Sequence, residues 1–188
     1  MTPSSQHRDA LAVLAQWSPP TPRQAALREE YVDHLRVHLD GTSRSCALAH
    51  LTCGALVLDA AGDRVLLTLH AKAGRWFHLG GHLEPEDAGL AAAALREATE
   101  ESGVRGLDLD PDPVQLDAHL VPFCGGRPAT RHLDVRFLAV APPDAAVAVS
   151  EESLDVAWWP ADALPTNEES LHELVELARA RLAVRLQA

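Results

Sequence analysis

The sequence predicts an α/β or α+β protein in which helices cover both faces of a mixed β-sheet. Short apolar runs and alternating apolar and polar residues recur between residues 51 and 159, which is typical of strands. One helical pattern interrupts these strands and another follows them, as in a sheet that is sandwiched between helices. Two further helical patterns precede the first strand, so we expect an N-terminal helical extension.

Apolar residues at helical spacing predict a first helix that ends before Ser18-Pro19-Pro20. Thr21 and Pro22 then read as the N-cap and first residue of a second helix. We predict that residues 1–45 form an extension packed on a domain of residues 46–188. The extension either caps a substrate cleft or makes a homodimer contact, and the sequence leaves both open.

Regular patterns define the main domain. The predicted strands cover residues 52–58, 64–69, 114–120, 133–139 and 154–159, and the predicted helices cover residues 88–102 and 167–186. Gly103 ends the first of these helices, and Gly125-Gly126 forms a turn between two strands. In the later of those two strands His132, Asp134 and Arg136 share one face, because side chains alternate along a strand.

Composition excludes several classes of protein. A net charge of −11 in 188 residues counts against a nucleic acid polymer as partner, because phosphates would be repelled. The most apolar run, residues 53–61, is too short to span a membrane, and the first residues do not resemble a secretory signal. The 3 cysteines are widely spaced without a Cys-x-x-Cys pair, which favours a reducing cytoplasm over disulfides or a thiolate zinc site.

Three glutamates are the candidate functional residues of the sequence. Glu97, Glu100 and Glu101 lie within one arc of the predicted helix, near its C-terminal end, where negative charge is unfavourable. Either water screens them, as on a solvated face, or a hard cation such as Mg²⁺ neutralises them. The preceding Gly80-Gly81 favours the cation, because glycines allow the backbone to approach a ligand closely.

The stretch from Gly81 to Val104 resembles the Nudix box of the Nudix hydrolases. The second half of that signature is matched by Arg96, Glu97, Ala98, Glu100, Glu101, Gly103 and Val104. In the first half, Asp87 stands where the family has glutamate, and eight residues instead of seven separate it from Arg96. We interpret Asp87 as an N-cap of the helix.

This resemblance implies an α/β/α sandwich that hydrolyses a nucleoside diphosphate derivative or another organic pyrophosphate, with Mg²⁺ or Mn²⁺ as cofactor. It implies that Glu100, Glu101 and the Gly81 carbonyl bind the metal and that Arg96 orients the glutamates. It implies that Glu97 is a metal ligand or the general base. A glutamate from a later loop can also be the base, and Glu151 and Glu152 are candidates, against the alternative of exposed loop acids.

Substrate contacts are less specific. We predict that His82 lies near the bound phosphates and that Trp76 stacks on a base unless it belongs to the core. We also predict that His132, Asp134 and Arg136 contact substrate from the face of the sheet. The 10 histidines show no zinc spacing, which predicts surface or core histidines and not a transition-metal cluster. The identity of the pyrophosphate stays open.

Two other functions are compatible with the same fold. An enzyme similar to isopentenyl diphosphate isomerase would need a cysteine, such as Cys53, and a glutamate across a metal held largely by histidines. A non-catalytic nucleotide-binding module would normally have lost acids of the box. The three intact glutamates favour the hydrolase over both.

Overall fold

The computed structural model describes residues 2–124, 127–150 and 153–187, and it confirms the α/β prediction. The helices are α1 (Ser5–Gln16), α2 (Pro22–Val37), α3 (Leu90–Ser102) and α4 (Glu169–Arg185). The strands are β1 (Ala49–Leu58), β2 (Arg64–His70), β3 (Arg75–Phe77), β4 (Leu79–His82), β5 (Asp108–Leu109), β6 (Gln115–Cys124), β7 (Arg127–Val140) and β8 (Ser153–Pro160). The short strands β3, β4 and β5 are not among the five strands that the sequence pattern predicts. The predicted turn at Gly125-Gly126 lies outside the described residues.

The strand β1 is the centre of a mixed sheet. It runs parallel to β7 and antiparallel to β2 and β4. The register places His50 opposite His132 on β7, and Thr52 opposite His82 on β4. Further strands extend both sides, with β3 and β8 paired to β2 and with β5 and β6 paired to β7.

Helices cover both faces of this sheet, as predicted. The helices α1, α2 and α3 contribute to one apolar cluster with residues such as Leu51 and Leu133. The helix α4 packs on the opposite face against Leu56 and Leu138. Because β1 is covered on both sides, the second half of this strand is a continuous apolar run without alternation.

The N-terminal helices are part of the core and not a detached element. Tyr31 of α2 is fully buried, and its hydroxyl donates a hydrogen bond of 2.7 Å to the backbone oxygen of Asp117. The predicted cap of α2 is present, since the side chain of Thr21 accepts a hydrogen bond from the backbone N–H of Gln24. No helix in the described part of the chain is both long and apolar enough to cross a membrane.

Candidate active site

The glycine pair of β4 lies directly beneath the acidic face of α3. A Cβ atom at Gly81 would lie 2.6 Å from Oε1 of Glu97, so the carboxylate occupies the space that any other residue would need. The backbone N–H of Gly80 donates a hydrogen bond of 2.9 Å to Oε2 of Glu101. The glycines and the glutamates, which follow one another in the sequence, are therefore in direct contact where β4 meets α3.

Arg96 joins the carboxylates of this region. Its guanidinium makes two hydrogen bonds of 2.9 Å to the carboxylate of Asp87. Its Nη1 also lies 3.1 Å from Glu97 and 3.0 Å from Glu100. The bonds to Asp87 and the negative charges nearby raise the pKa of Arg96, so the guanidinium stays charged. This geometry fixes the positions of both glutamates relative to the helix.

The interpretation of Asp87 as the N-cap of α3 is wrong. The helix begins at Leu90 with Gly89 as its N-cap, two residues later than the sequence predicted. Asp87 instead accepts a hydrogen bond of 2.7 Å from the backbone N–H of Glu84, because the loop turns there before the helix starts. The cap comes from α1, where Oδ2 of Asp9 accepts a hydrogen bond of 2.8 Å from the N–H of Leu90.

The donor set on α3 fits a hard divalent cation. The side chain of Glu100 is 62% exposed and that of Glu97 is 17% exposed, while Glu101 is buried. Asp87, Glu97 and Glu100 contact the one guanidinium of Arg96, and Glu101 adds a fourth carboxylate to the region, which leaves an excess of negative charge. Carboxylate oxygens are the ligands that Mg²⁺ and Mn²⁺ prefer.

A second group of side chains meets at the end of β4. The ring centroids of His50, His82 and His132 lie 4.9 to 5.1 Å from one another. The Sγ atom of Cys124 lies 3.4 Å from Nε2 of His82 and 3.7 Å from Nε2 of His50. The prediction that the histidines form no cluster is therefore wrong for these three, because β1 pairs with both β4 and β7.

Hydrogen bonds define the protonation of this cluster. Nδ1 of His50 lies 3.0 Å from the backbone oxygen of Cys46, so this nitrogen carries the proton. Arg44 donates to Nδ1 of His82, which leaves the proton of that ring on Nε2, 3.1 Å from Nε2 of His50. Burial and the charge of Arg44 lower the pKa of His82 to about 3, so its ring is neutral at pH 7.

His82 connects the two groups. Its backbone oxygen accepts a hydrogen bond of 3.0 Å from Nη2 of Arg96, whereas its ring belongs to the histidine cluster. Burial and the neighbouring His50 also lower the pKa of His132, to about 4. Both rings are therefore uncharged at neutral pH.

The other predicted substrate contacts have protein partners. Arg136 is buried, and its guanidinium binds Asp134, Asp117 and the Ser170 hydroxyl at 2.6 to 3.1 Å. Trp76 packs edge-on against Trp159, with their ring centroids 5.3 Å apart. These contacts favour structural roles for both residues.

One residue that matters here, Cys124, was not found from the sequence, because it carries no motif and its partners lie on other strands. Asp134, a predicted substrate contact, binds Arg136 and also lies 3.1 Å from Nε2 of His78, whose side chain is only 11% exposed. Glu151 and Glu152, the candidate late-loop bases, lie outside the described residues.

Comparisons with known proteins agree with this fold. The structure is similar to a C. elegans Ap4A hydrolase, with a TM-score of 0.57 and 22% identity over 71% of this chain and 98% of the other. It is also similar to the E. coli dihydroneopterin triphosphate pyrophosphohydrolase, with a TM-score of 0.56 and 18% identity over 70% and 95% of the two chains.

The NUDIX domain of Shewanella oneidensis NrtR, in complex with ADP ribose, gives a TM-score of 0.56 and 23% identity over 74% and 92% of the chains. No curated protein sequence matches this chain. The family model described as NUDIX domain matches residues 48–178. The resemblance of residues 81–104 to the Nudix box is thereby confirmed, and the chain belongs to the NUDIX family.

Proposed function

We propose that this protein is a Nudix hydrolase that cleaves the pyrophosphate linkage of a small nucleotide derivative with the help of Mg²⁺ or Mn²⁺. The observation that carries the proposal is the contact between Gly81 and the carboxylate of Glu97. The names of three similar structures support the substrate class, since they mention Ap4A, dihydroneopterin triphosphate and ADP ribose.

In this proposal Glu97, Glu100, Glu101 and the carbonyl of Gly81 hold the metal. The ion, when bound, neutralises pyrophosphate charge and lowers the pKa of a coordinated water. Arg96 is a positioning residue, because it bonds to both Glu97 and Glu100. Either Glu97 or Glu152 accepts the proton of the attacking water.

The remaining parts of the substrate site stay predictions. His82, Arg136 and Trp76 each have a partner within the protein, so contact with substrate would have to use their free edges or replace a partner. The N-terminal helices remain candidates for a cleft cap or a homodimer contact. None of the 3 cysteines forms a disulfide in the structure, and a reducing cytoplasm stays our proposal for the location of the protein.

A turnover assay tests the function. Phosphate-containing products should be released from a panel of dinucleotides, nucleotide sugars and nucleoside triphosphates when Mg²⁺ or Mn²⁺ is present. Glu100→Gln should lower kcat at least about 100-fold, because removal of one ligand carboxylate weakens charge stabilisation in the transition state. Glu176→Gln, an exposed change on α4, is the matched control and should retain full turnover.

Unchanged turnover in Glu100→Gln would contradict the metal assignment. Binding of nucleotides without any product would instead support the non-catalytic module. Cys53 is poorly placed to act as the cysteine of an isomerase. It is fully buried in the core, on the face of β1 opposite to His50 and Thr52. Isopentenyl diphosphate in the same panel should therefore remain unchanged.

A further inference from the structure

We propose that His50, His82, His132 and Cys124 form a binding site for one zinc-like transition-metal ion, separate from the carboxylates of α3. One donor atom from each of the four residues lies within 4.8 Å of all the others. Three imidazole nitrogens and one thiolate are a donor set for Zn²⁺ or Co²⁺ and not for Mg²⁺, which prefers oxygen.

The spacing of the donors agrees with tetrahedral coordination. Zinc–nitrogen bonds of about 2.05 Å and zinc–sulfur bonds of about 2.3 Å place neighbouring nitrogens about 3.3 Å apart, and nitrogen and sulfur about 3.6 Å apart. The Nε2 atoms of His50 and His82 are 3.1 Å apart, and Sγ of Cys124 lies 3.4 and 3.7 Å from them. These three donors are already close to tetrahedral spacing, and the donor of His132 lies within 4.8 Å of each of them.

The surrounding structure orients one ligand, His50, and favours metal binding at another, His132. Nδ1 of His50 bonds to the backbone oxygen of Cys46, an arrangement that often orients metal-binding imidazoles. Nε2 of His132 is buried and has no hydrogen-bond partner among the described residues. A buried ring nitrogen without a partner is unfavourable, and a metal ion would supply one.

Arg44 is the group that opposes binding. Its guanidinium lies 3.0 Å from Nδ1 of His82, and its positive charge disfavours a cation nearby. Because Arg44 is exposed, it can move into solvent. The proton of His82 then moves from Nε2 to Nδ1, and Nε2 becomes a ligand, while Cys124 releases its thiol proton to solvent.

The site would join four strands, close to the segment of the Nudix box between β4 and α3. His50 lies on β1, His82 on β4, Cys124 on β6 and His132 on β7. Four protein ligands complete a tetrahedral shell, which is typical of structural metal sites. Through the backbone of His82, the ion would also fix the acceptor of Arg96.

The test is a Co²⁺ titration of the metal-stripped, full-length protein in excess Mg²⁺. We expect one Co²⁺ per chain, with the visible absorption of tetrahedral cobalt and a thiolate charge-transfer band, both abolished by Zn²⁺. Cys124→Ser should remove the charge-transfer band, and His132→Ala should weaken binding at least about 10-fold. Arg44→Ala should strengthen binding, because it removes the opposing charge.

Two control variants distinguish binding at this site from binding at an exposed histidine or at the carboxylates of α3. His172→Ala, a histidine exposed on α4, should bind Co²⁺ like the wild type. Glu100→Gln should do the same, so loss of the cobalt spectrum in this variant would place the ion on α3 and overturn the proposal. Absence of the spectrum from the wild type, or its persistence unchanged in Cys124→Ser, would also overturn it. Circular dichroism in EDTA establishes that each variant is folded.

Discussion

The guanidinium of Arg96 holds the carboxylates at the acidic face of α3 in place. Its two bonds reach Asp87, whose side chain is only 5% exposed, and removal of the cation would leave that carboxylate buried without its main partner. We expect Arg96→Ala to lower the free energy of unfolding by about 3 kcal/mol, in addition to reducing turnover. Urea unfolding at neutral pH measures the first effect.

The control for this change is Arg75→Ala. Arg75 bonds to Glu168 in a pair whose side chains are 59% and 29% exposed, so its removal should change stability by no more than about 0.5 kcal/mol. Equal losses in both variants would show that Arg96 contributes no more than an ordinary surface ion pair.

Asp117 makes stability depend on pH. Burial by itself would raise the pKa of this carboxyl, but hydrogen bonding to His119 and the charge of Arg136 lower it to about 2. The pKa is about 3.9 in unfolded chains, so ionised Asp117 favours the folded state by about 2 kcal/mol above pH 5. This contribution is lost as the pH falls from about 4 through 2.

The variant Asp117→Asn tests that statement. The wild type should exceed it in stability by about 2 kcal/mol at pH 6 and by about half as much at pH 3. Urea midpoints at the two pH values give the difference. The exposed change Asp33→Asn on α2 should show little difference at either pH, and a constant gap for Asp117→Asn would contradict the prediction.

At the scale of elements, α1 contributes directly to the start of α3. The carboxylate of Asp9 accepts a hydrogen bond from the backbone N–H of Leu90, where α3 lacks a cap of its own. We expect Asp9→Ala to lower the free energy of unfolding by about 1 kcal/mol, because the cap and the favourable charge at the helix N-terminus are lost together. Chemical unfolding measures this loss.

The comparison for Asp9 is Asp33→Asn, which alters an exposed carboxylate on α2. If both variants are as stable as the wild type, then the hydrogen bond from Leu90 to Asp9 contributes nothing to stability.

The same elements show which features the sequence could predict. The arc of Glu97, Glu100 and Glu101 follows from helical geometry, which acts over a few neighbouring residues. The role of Asp87 could not be predicted, because the cap of α3 comes from Asp9, more than 80 residues away. Local patterns contain no information about such a partner.

The histidine cluster was missed for a related reason. Each histidine alone is an ordinary residue of a strand, and only the parallel register of β1 with β7 brings His50 beside His132. That register depends on the arrangement of the whole sheet. A useful signal was present, however, because His132, Asp134 and Arg136 were correctly predicted to share one face.

For the whole molecule, the N-terminal helices and the sheet form a single apolar core. Leu14 and Tyr31 are fully buried against the same cluster as Leu51 and Leu133. Deletion of residues 1–45 would expose this face of the sheet, so we expect the shortened chain to aggregate or to lack a cooperative thermal transition. Calorimetry and dye binding to exposed apolar surface measure the outcome. A truncated chain that melts cooperatively at the wild-type temperature would show that residues 46–188 fold independently.

The parallel pairing of β1 with β7 also has a consequence for biosynthesis. Residue 49 pairs with residue 131, so the central strand must wait for most of the chain to leave the ribosome before this neighbour exists. Until then, the apolar sides of α1 and α2 have only an incomplete sheet to cover. Contacts between distant segments form slowly, and a nascent chain of this kind exposes aggregation-prone apolar surface until they have formed. A chaperone that covers these surfaces until residue 131 has emerged should therefore raise the yield of native protein.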